Sequence, residues 1–373
     1  MSREDTTRGA AEAAPSRGRL TRKIVGRVVA LIAAGVGLYA VWPALLQVFS
    51  SWPTLRELDP IWFLIMPLFE VLSLVCLWAL TRLALHRRGW FLAVTTQLAS
   101  SAVSRVVPGG AATGGALQYR MLAKGGVEGP RIATSIAAVS VLTTTTLLAL
   151  PVLSLPAILG GLPVDRSLLR AALIGIMVFV AAVAISTLFL ATSKPLRLVG
   201  RLAQRIRNGV RRKRTPLEGL DDRLVAERDL MRQTLGRKWW VALLGSFGKA
   251  LFDFLALLAA LIAVGAEPKP SLVLLAYVIS SLLGMIPLTP GGLGFVEAGL
   301  VATLALAGVG GGDASAATLA YRLVSFWLPI PAGLAAYIVY RRRYGRPDEE
   351  PGEVTAAPAG GAVLTPDGPR TVS

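Results

Sequence analysis

The chain has 373 residues, of which 54% are hydrophobic and 16% are charged, and its mean hydropathy is +0.60. Soluble domains carry about 25% charged residues, so this composition indicates a polytopic membrane protein. A single cysteine, Cys76, excludes an intramolecular disulfide framework. A single histidine, His86, excludes a histidine-rich metal site and leaves little for acid–base catalysis near neutral pH. We therefore expect neither a metal nor another cofactor.

The net charge of +17 would suggest a nucleic-acid partner in a soluble protein. Here the basic residues lie at the two ends and in one internal block beside apolar segments, which is typical of membrane orientation, and we expect no nucleic-acid partner. Residues 1–22 and 344–373 are polar, and we expect them to be disordered cytoplasmic tails. The first tail lacks the apolar core and the cleavage site of a signal peptide.

Six segments are long and apolar enough for a spanning helix, which needs about 20 residues. They are 24–49, 61–85, 132–150, 168–192, 240–264 and 318–340. Three further segments are shorter or more polar, namely 90–107, 272–288 and 293–309. The sequence thus predicts an all-α polytopic membrane protein with a first membrane half at 23–192, a basic linker at 193–238 and a second membrane half at 239–343.

The distribution of basic residues predicts the orientation. Block 194–238 holds 14 Lys and Arg residues against 5 Asp and Glu, and "RRRYGR" follows the last apolar segment. The positive-inside rule places these regions in the cytoplasm, and the neutral or slightly acidic connections outside. We therefore expect a multi-pass protein of the cytoplasmic (inner) cell membrane with both termini in the cytoplasm.

This orientation leaves no room for segment 90–107 as a single crossing, because the next two long segments already cross out and back. We expect a re-entrant hairpin at 90–120 that enters from the cytoplasm and turns at the Pro108 break. The second half allows either two thin crossings or a hairpin at 271–309 that breaks at Pro290 and enters from outside. The hairpin is favoured because it would make an inverted repeat, a recurrent transporter design.

Broken backbone at membrane depth is tolerated only where protein or a water-filled cavity covers it, so paired breaks indicate a midplane binding site. Amides freed at the glycine pairs could bind a phosphate at the start of a half-helix. The alternative is close helix packing through small residues, and both roles are compatible. The glycines concerned are Gly109, Gly110, Gly291 and Gly292.

Ionisable residues inside apolar segments are functional candidates. Arg120 could hold a phosphate with both arms of its guanidinium, or it could serve orientation at the cytoplasmic end of the hairpin. Glu297 could bind a cationic headgroup, take a proton or form a structural ion pair. Arg322 is expected near the outer boundary, where it could contact a phosphate or snorkel to the interface.

Two further features have mainly structural interpretations. Lys249 and Asp253 are spaced i, i+4 on one helix, which favours a structural ion pair. Glu70 has no partner within its own helix and needs one elsewhere; Arg105, Lys249 or Arg322 could serve.

The linker at 194–238 combines basic and apolar residues at helical spacing. It predicts an amphipathic helix on the anionic inner leaflet, and a solvated orientation signal is the alternative. The residues at this spacing are Arg197, Leu198, Arg201, Leu202, Arg205 and Ile206.

Taken in order, these motifs resemble the lysylphosphatidylglycerol synthase transmembrane-region family of flippase-like membrane domains. The resemblance is carried by Pro108-Gly109-Gly110 with Tyr119-Arg120, by Pro290 to Gly294 with Glu297, and by Tyr321-Arg322 ahead of "SFWLPIPAG". It implies lipid handling and supports Arg120, Tyr119 and Arg322 as lipid-binding residues. Some members are fused to a soluble aminoacyl-transferase. We expect none here, because only about 30 polar residues follow the last apolar segment.

The leading hypothesis is a membrane protein that binds and translocates a phospholipid or a polyprenyl-phosphate lipid. The sequence has no Walker A pattern, so ATP hydrolysis is not expected. An intramembrane enzyme is disfavoured, because its acids and histidines would need to cluster. A secondary transporter of a small solute or ion, and a membrane partner of a lipid-modifying enzyme, stay open as alternatives.

Overall fold

The structure is a computed structural model that describes residues 61–85, 89–107, 110–156, 166–192, 219–286 and 289–345, with positions 197, 198, 201, 202 and 204. The predicted span at 24–49 and both predicted tails, apart from residues 344 and 345, lie outside the described residues. Pro108, Gly109 and most of the linker between 193 and 218 lie outside them as well.

The described residues form helices and contain no strand, which confirms the predicted all-α polytopic class. In chain order the helices are α1 (Trp62–Ala84), α2 (Trp90–Val106), α3 (Gly110–Lys124), α4 (Gly129–Ala149), α5 (Arg166–Ala191), α6 (Leu220–Ala263), α7 (Pro270–Leu283), α8 (Phe295–Leu306), α9 (Gly311–Arg322) and α10 (Pro329–Tyr344). A 3₁₀ turn (Leu150–Ser154) follows α4, and a π-helical turn (Leu323–Trp327) joins α9 to α10.

Four helical segments of the described chain are long and apolar enough to cross a membrane. They are Leu64–Ala84, Gly129–Ser154, Lys238–Ala263 and Gly311–Tyr344. Each overlaps one of the predicted spans, because a continuous apolar run of this length satisfies its backbone only as a helix. Helix α5 covers most of the predicted span at 168–192 with 26 helical residues.

Helices α1 and α6 pack against each other in opposite directions. The rings of Phe69 and Phe252 stack with centroids 6.3 Å apart. One turn further along α1, Ser73 Oγ donates a hydrogen bond of 2.9 Å to the carbonyl oxygen of Lys249. Because residue numbers rise along one helix as they fall along the other, the end of α1 lies level with the start of the apolar part of α6. That part begins at Lys238, where the backbone leaves helical geometry (φ −125°, ψ 24°).

Helices α2 and α3 form an antiparallel hairpin that returns to the end where it began. Gly114 lies against Ser100 in the middle of the pair, and Gly125, just after α3, lies against the side chain of Leu92 near the start of α2. The helices have 17 and 15 residues, so they are about 25 Å and 22 Å long. Both are shorter than the roughly 30 Å hydrocarbon core of a bilayer.

The same end of the bundle holds the start of α4 and the end of α10. Ser135 Oγ in α4 donates a hydrogen bond of 2.9 Å to the carbonyl oxygen of Ala84 at the end of α1. The ring of Tyr344 lies 6.2 Å from that of Phe91 at the start of α2. The basic last turn of α10 therefore lies at the end of the bundle where the first hairpin begins.

Helices α7 and α8 form a second short hairpin, and Leu272 near its start packs on Ala307 just beyond its end. The two helices have 14 and 12 residues, about 21 Å and 18 Å. The hairpin follows the end of α6, whereas the first hairpin follows the end of α1. Because α1 and α6 are antiparallel, the two hairpins extend from opposite ends of the bundle.

The tips of the two hairpins meet. Gly291 in the second tip has a positive φ of 59° and lies against the ring of Phe326 and the carbonyl oxygen of Arg105, close to the first tip. A Cβ at Gly291 would overlap both, so only glycine fits this backbone conformation and this contact.

Close packing of α10 on α2 gives a test of the fold. A Cβ at Gly333 would overlap the carbonyl oxygen of Leu98 and the Cβ of Ala102, whereas Gly115 on α3 has open space around it. Gly333→Ala should therefore lower the thermal unfolding temperature in detergent. Gly115→Ala should leave it unchanged or raise it slightly, because alanine is favoured over glycine in a helix by about 1 kcal/mol. Equal temperatures for the two variants would contradict this packing.

Candidate functional site

Charged side chains from five helices come together where the hairpin tips meet. What we call the buried charge cluster has one buried member, Glu70 (α1), and five partly buried ones, namely Arg105 (α2), Lys249 and Asp253 (α6), Glu297 (α8) and Arg322 (α9). Electrostatic interactions link Arg105 to Glu70, Asp253 and Arg322, so the six residues form one site. With all groups ionised, three positive charges face three negative ones.

The buried charge cluster lies at mid-length of the apolar span of α6. Eleven residues separate Lys238 from Lys249, and ten separate Asp253 from Ala263, about 16 Å and 15 Å along the helix. Placing one charged side chain at such a depth costs about 2.5–3.5 kcal/mol on insertion scales. The cluster must therefore supply partners for its own charges.

Asp253 is the most fully bonded member of the cluster. Its Oδ2 accepts hydrogen bonds from Lys249 Nζ at 3.1 Å and from the Tyr277 hydroxyl at 3.0 Å. Its Oδ1 accepts one from the Tyr321 hydroxyl at 2.7 Å. The i, i+4 pair expected from the sequence is thus present as an ion pair. The two tyrosines were not assigned from the sequence, although Tyr277 is the one hydroxyl-bearing aromatic residue in apolar α7.

Arg322 ties the second hairpin to α9. Its Nε donates a hydrogen bond of 2.6 Å to Glu297 Oε1, and its Nη2 lies 3.4 Å from the carbonyl oxygen of Gly291. Its guanidinium also lies 4.5 Å from the ring centroid of Phe326. The sequence placed Arg322 near the outer boundary. In the structure its helical segment begins at Gly311, ahead of the predicted start at 318, and the Arg322 side chain is partly buried against the second hairpin.

Arg105 reaches the π-helical turn from the end of α2. Its Nη2 donates a hydrogen bond of 3.1 Å to the carbonyl oxygen of Ser325, a neutral acceptor. π-helical turns break the regular i to i−4 ladder and are frequent at functional sites. Arg105 was considered from the sequence only as a partner for Glu70, since it gives no motif of its own.

The structure separates Arg120 from the glycine break that precedes α3. Arg120 is exposed and lies ten residues beyond Gly110, about 15 Å along α3. One phosphate therefore cannot contact both Arg120 and the amides at that break. Tyr119 is also exposed, and its hydroxyl lies beside Gly129 at the start of α4.

Gly110 and Gly291 share one kind of packing. Gly110 faces the carbonyl oxygen of Ser104, and Gly291 faces that of Arg105, both on α2. Each contact is so close that a Cβ on the glycine would overlap the oxygen. The interpretation of these glycines as small residues that permit close approach is therefore supported by contacts. Gly292, with a φ of 74°, continues the left-handed tip next to Val296.

The structure defines a polytopic α-helical membrane protein. Its distinguishing features are two helical hairpins with facing tips and the buried charge cluster between them. The family model described as the lysylphosphatidylglycerol synthase TM region matches residues 28–333. The chain belongs to this family, which confirms the resemblance seen in its motifs.

Two alignments with UPF0104 membrane protein from Methanothermobacter thermautotrophicus support the same assignment. One is 38% identical over 74 residues, or 20% of this chain and 22% of the relative. The other is 33% identical over 98 residues, or 26% of this chain and 28% of the relative. The chain thus matches about a quarter of the length of these curated relatives.

The Arg322–Glu297 pair yields a test of the site. Arg322→Gln leaves Glu297 as a buried charge without its cation, which typically costs about 3–5 kcal/mol of unfolding free energy. The double variant Arg322→Gln/Glu297→Gln leaves no uncompensated charge and should recover most of that loss. Denaturant unfolding in micelles measures both.

The control is Arg197→Gln, because the Arg197–Asp222 bridge of 3.7 Å is solvent-exposed. Exposed ion pairs contribute little, so no measurable change is expected for it. Additive losses in the double variant would contradict the pairing.

Proposed function

We propose that the protein is a flippase-like membrane protein that binds a phosphate-bearing lipid and moves it between leaflets without ATP hydrolysis. Family membership supports a lipid-related membrane role. The observation that carries the proposal is the position of Arg105 and Arg322 beside each other, level with the middle of the apolar span of α6, where the second hairpin tip meets the end of α2. Paired helix breaks around a central site are the design that transporters use for midplane binding.

In this proposal the two guanidinium groups hold the lipid phosphate. Arginine offers a planar fork of donors that matches phosphate oxygens, and charge-assisted bonds of this kind are strong. The Arg322 and Glu297 side chains are 13% and 17% exposed, so the pair can be reached from outside the bundle. The acyl chains would stay in the bilayer while the headgroup passes the tips.

Arg120 takes a different role in the proposal. Because it is exposed at the far end of α3, it suits the first capture of a lipid phosphate at the membrane surface rather than its passage at mid-depth. Tyr119 is the preceding residue, is also exposed, and would contact the lipid headgroup beside Arg120.

We also propose that hairpins 90–120 and 271–309 are re-entrant, the first from the cytoplasm and the second from outside the inner cell membrane. The support is geometric. All four hairpin helices are shorter than a bilayer's hydrocarbon core, and each hairpin ends where it began. The basic end of α10 lies beside the start of the first hairpin, and the positive-inside rule favours the cytoplasm for that end and for the C-terminus.

The linker is proposed to rest on the anionic inner leaflet. Leu198 and Leu202 are 64% and 56% exposed, although they are apolar, and Arg197 and Arg201 lie beside them. Exposed leucines next to arginines at helical spacing are typical of helices that lie in the membrane interface.

A secondary transporter of a small ion is the second candidate function. The specific observation in its favour is Glu70, a buried carboxyl whose Oε2 has no hydrogen-bond partner among the described residues. Intramembrane carboxyls of this type mark ion and proton pathways in transporters.

Reconstitution in liposomes tests the proposed function. The vesicles carry fluorescent phosphatidylglycerol, phosphatidylethanolamine or a polyprenyl phosphate, and a membrane-impermeant reductant reports the probe left in the outer leaflet. We expect the protein to accelerate the movement of at least one of these lipids. Arg105→Gln and the double variant Arg322→Gln/Glu297→Gln should abolish the acceleration, because the phosphate loses its cations.

The matched control is Arg342→Gln, the same chemical change at an exposed position in the last turn of α10, which should leave the rate unchanged. Full activity in the double variant would show that the pair is structural only. No acceleration for any lipid by the wild type would overturn the proposed function in favour of the ion transporter.

A further inference from the structure

Within the described part of the chain, Glu70 is the one carboxyl of the buried charge cluster that lacks a direct cationic partner. Its side chain is only 4% exposed, and its Oε2 has no hydrogen-bond partner among the described residues. Lys249 is paired with Asp253 at 3.1 Å, and Arg322 is paired with Glu297 at 2.6 Å.

Arg105 is the cation of the cluster on which the charge of Glu70 acts most strongly. It donates its hydrogen bond to the carbonyl oxygen of Ser325, and it lies within electrostatic range of Glu70 without bonding to it. In the resting site, Lys249 and Arg105 both compensate the charge of Glu70 at a distance, and Glu70 is the charged group that acts most strongly on Arg105. This balance ends when a phosphate takes Arg105 as its partner.

We propose that Glu70 is a proton-binding site that couples lipid movement to proton flow, one proton being taken up for each phosphate charge held at Arg105 and Arg322. The inference rests on the proposed function and adds its energy source. With a singly charged phosphate bound and Glu70 ionised, four negative charges would face three positive ones and leave one uncompensated negative charge in an apolar span. Such a charge is strongly unfavourable there, and protonation of Glu70 removes it.

The proton step is a simple transfer. A proton from water that reaches the partly exposed cluster binds to Oε2 and forms an O–H bond. It returns to water on the other side when the phosphate leaves and Arg105 again faces Glu70. The total charge of the site is then the same in its empty and loaded states, so transport of a singly charged lipid is electroneutral.

The neighbours of Glu70 support the assignment to this residue rather than another. On α6 it faces Lys249 and Asp253, and on α2 it faces Arg105. The hydroxyls of Tyr277 and Tyr321 also lie within its electrostatic range, and both are committed to Asp253. The charged residue of α4, Arg131, lies in that helix's first turn, and the π-helical turn at 323–327 carries no ionisable side chain. Asp253 already accepts three hydrogen bonds. The Oε2 of Glu297 also lacks a hydrogen-bond partner among the described residues, but its Oε1 is bonded to Arg322 at 2.6 Å, so Glu70 is the carboxyl of the cluster without a directly bonded cation.

The first test measures proton uptake directly. The full-length protein in detergent and weak buffer, with a pH-indicator dye, is mixed with short-chain phosphatidylglycerol, and lipid binding is measured in parallel. We expect about one proton per bound lipid at neutral pH, because the proposed pairing matches one proton with one phosphate charge. Glu70→Gln should reduce this uptake to near zero. Glu267→Gln, the same change in an exposed loop, should match the wild type. Lipid binding without proton uptake, or equal uptake in Glu70→Gln, would overturn the inference.

The second test uses proteoliposomes with a gradient of about one pH unit. If one proton moves with each lipid, this gradient corresponds at equilibrium to about a tenfold ratio of phosphatidylglycerol between the two leaflets. The wild type should enrich phosphatidylglycerol about tenfold in the leaflet that faces the higher pH, beyond the level in protein-free vesicles. A potassium diffusion potential should leave its distribution unchanged. With Glu70→Gln the enrichment should fall to the protein-free level.

The two tests separate the possible failures. If the wild type accelerates lipid movement without any response to the pH gradient, the proton site is wrong and the proposed function stands. If the wild type neither binds nor moves any lipid, the proposed function fails and the coupling fails with it. An enrichment that follows the membrane potential would show that the lipid crosses as an anion, against the inference.

Discussion

The structure depends on a single constraint, the cost of holding charge in an apolar span. Six ionisable side chains lie in one cluster level with the middle of the apolar span of α6, and the cluster is tolerated because its three positive and three negative charges from five helices balance. Asp253 connects α6 to α7 and α9 through Tyr277 and Tyr321, and Arg322 connects α9 to α8 through Glu297. The charges therefore determine which helices must be neighbours, whereas apolar packing alone would allow many arrangements of similar helices.

Glycine has the complementary role of bringing backbone close to backbone. At Gly291 a positive φ and the absence of a Cβ let the second tip touch α2 and the π-helical turn. At Gly333 the same absence lets α10 approach α2. Without these approaches the arginine side chains would not reach the carbonyl oxygens and carboxylates that bind them, so the charged site depends on the packing of its glycines.

Composition and periodicity were enough to predict the elements of the fold. Apolar length indicated the long spans, glycine and proline indicated the hairpin breaks, and the i, i+4 spacing indicated the Lys249–Asp253 pair, which lies at 3.1 Å. Partners between helices could not be predicted, because spacing within one segment carries no information about rotation relative to another. Arg105 was therefore considered only as a partner for Glu70, the two tyrosines were given no role in the site, and Arg322 was not paired with Glu297. Arg120 and the glycine amides were both candidates for binding a phosphate, but Arg120 lies about 15 Å along α3 from Gly110, so one phosphate cannot contact both.

The contact between the two tips has a mechanical consequence. Among the described residues, Gly291 of the second tip lies directly against the carbonyl oxygen of Arg105, near the end of α2, and against the ring of Phe326. Neither hairpin can withdraw or advance alone without breaking that contact. In the proposed function, a movement of one hairpin that keeps this contact would therefore carry the other hairpin with it.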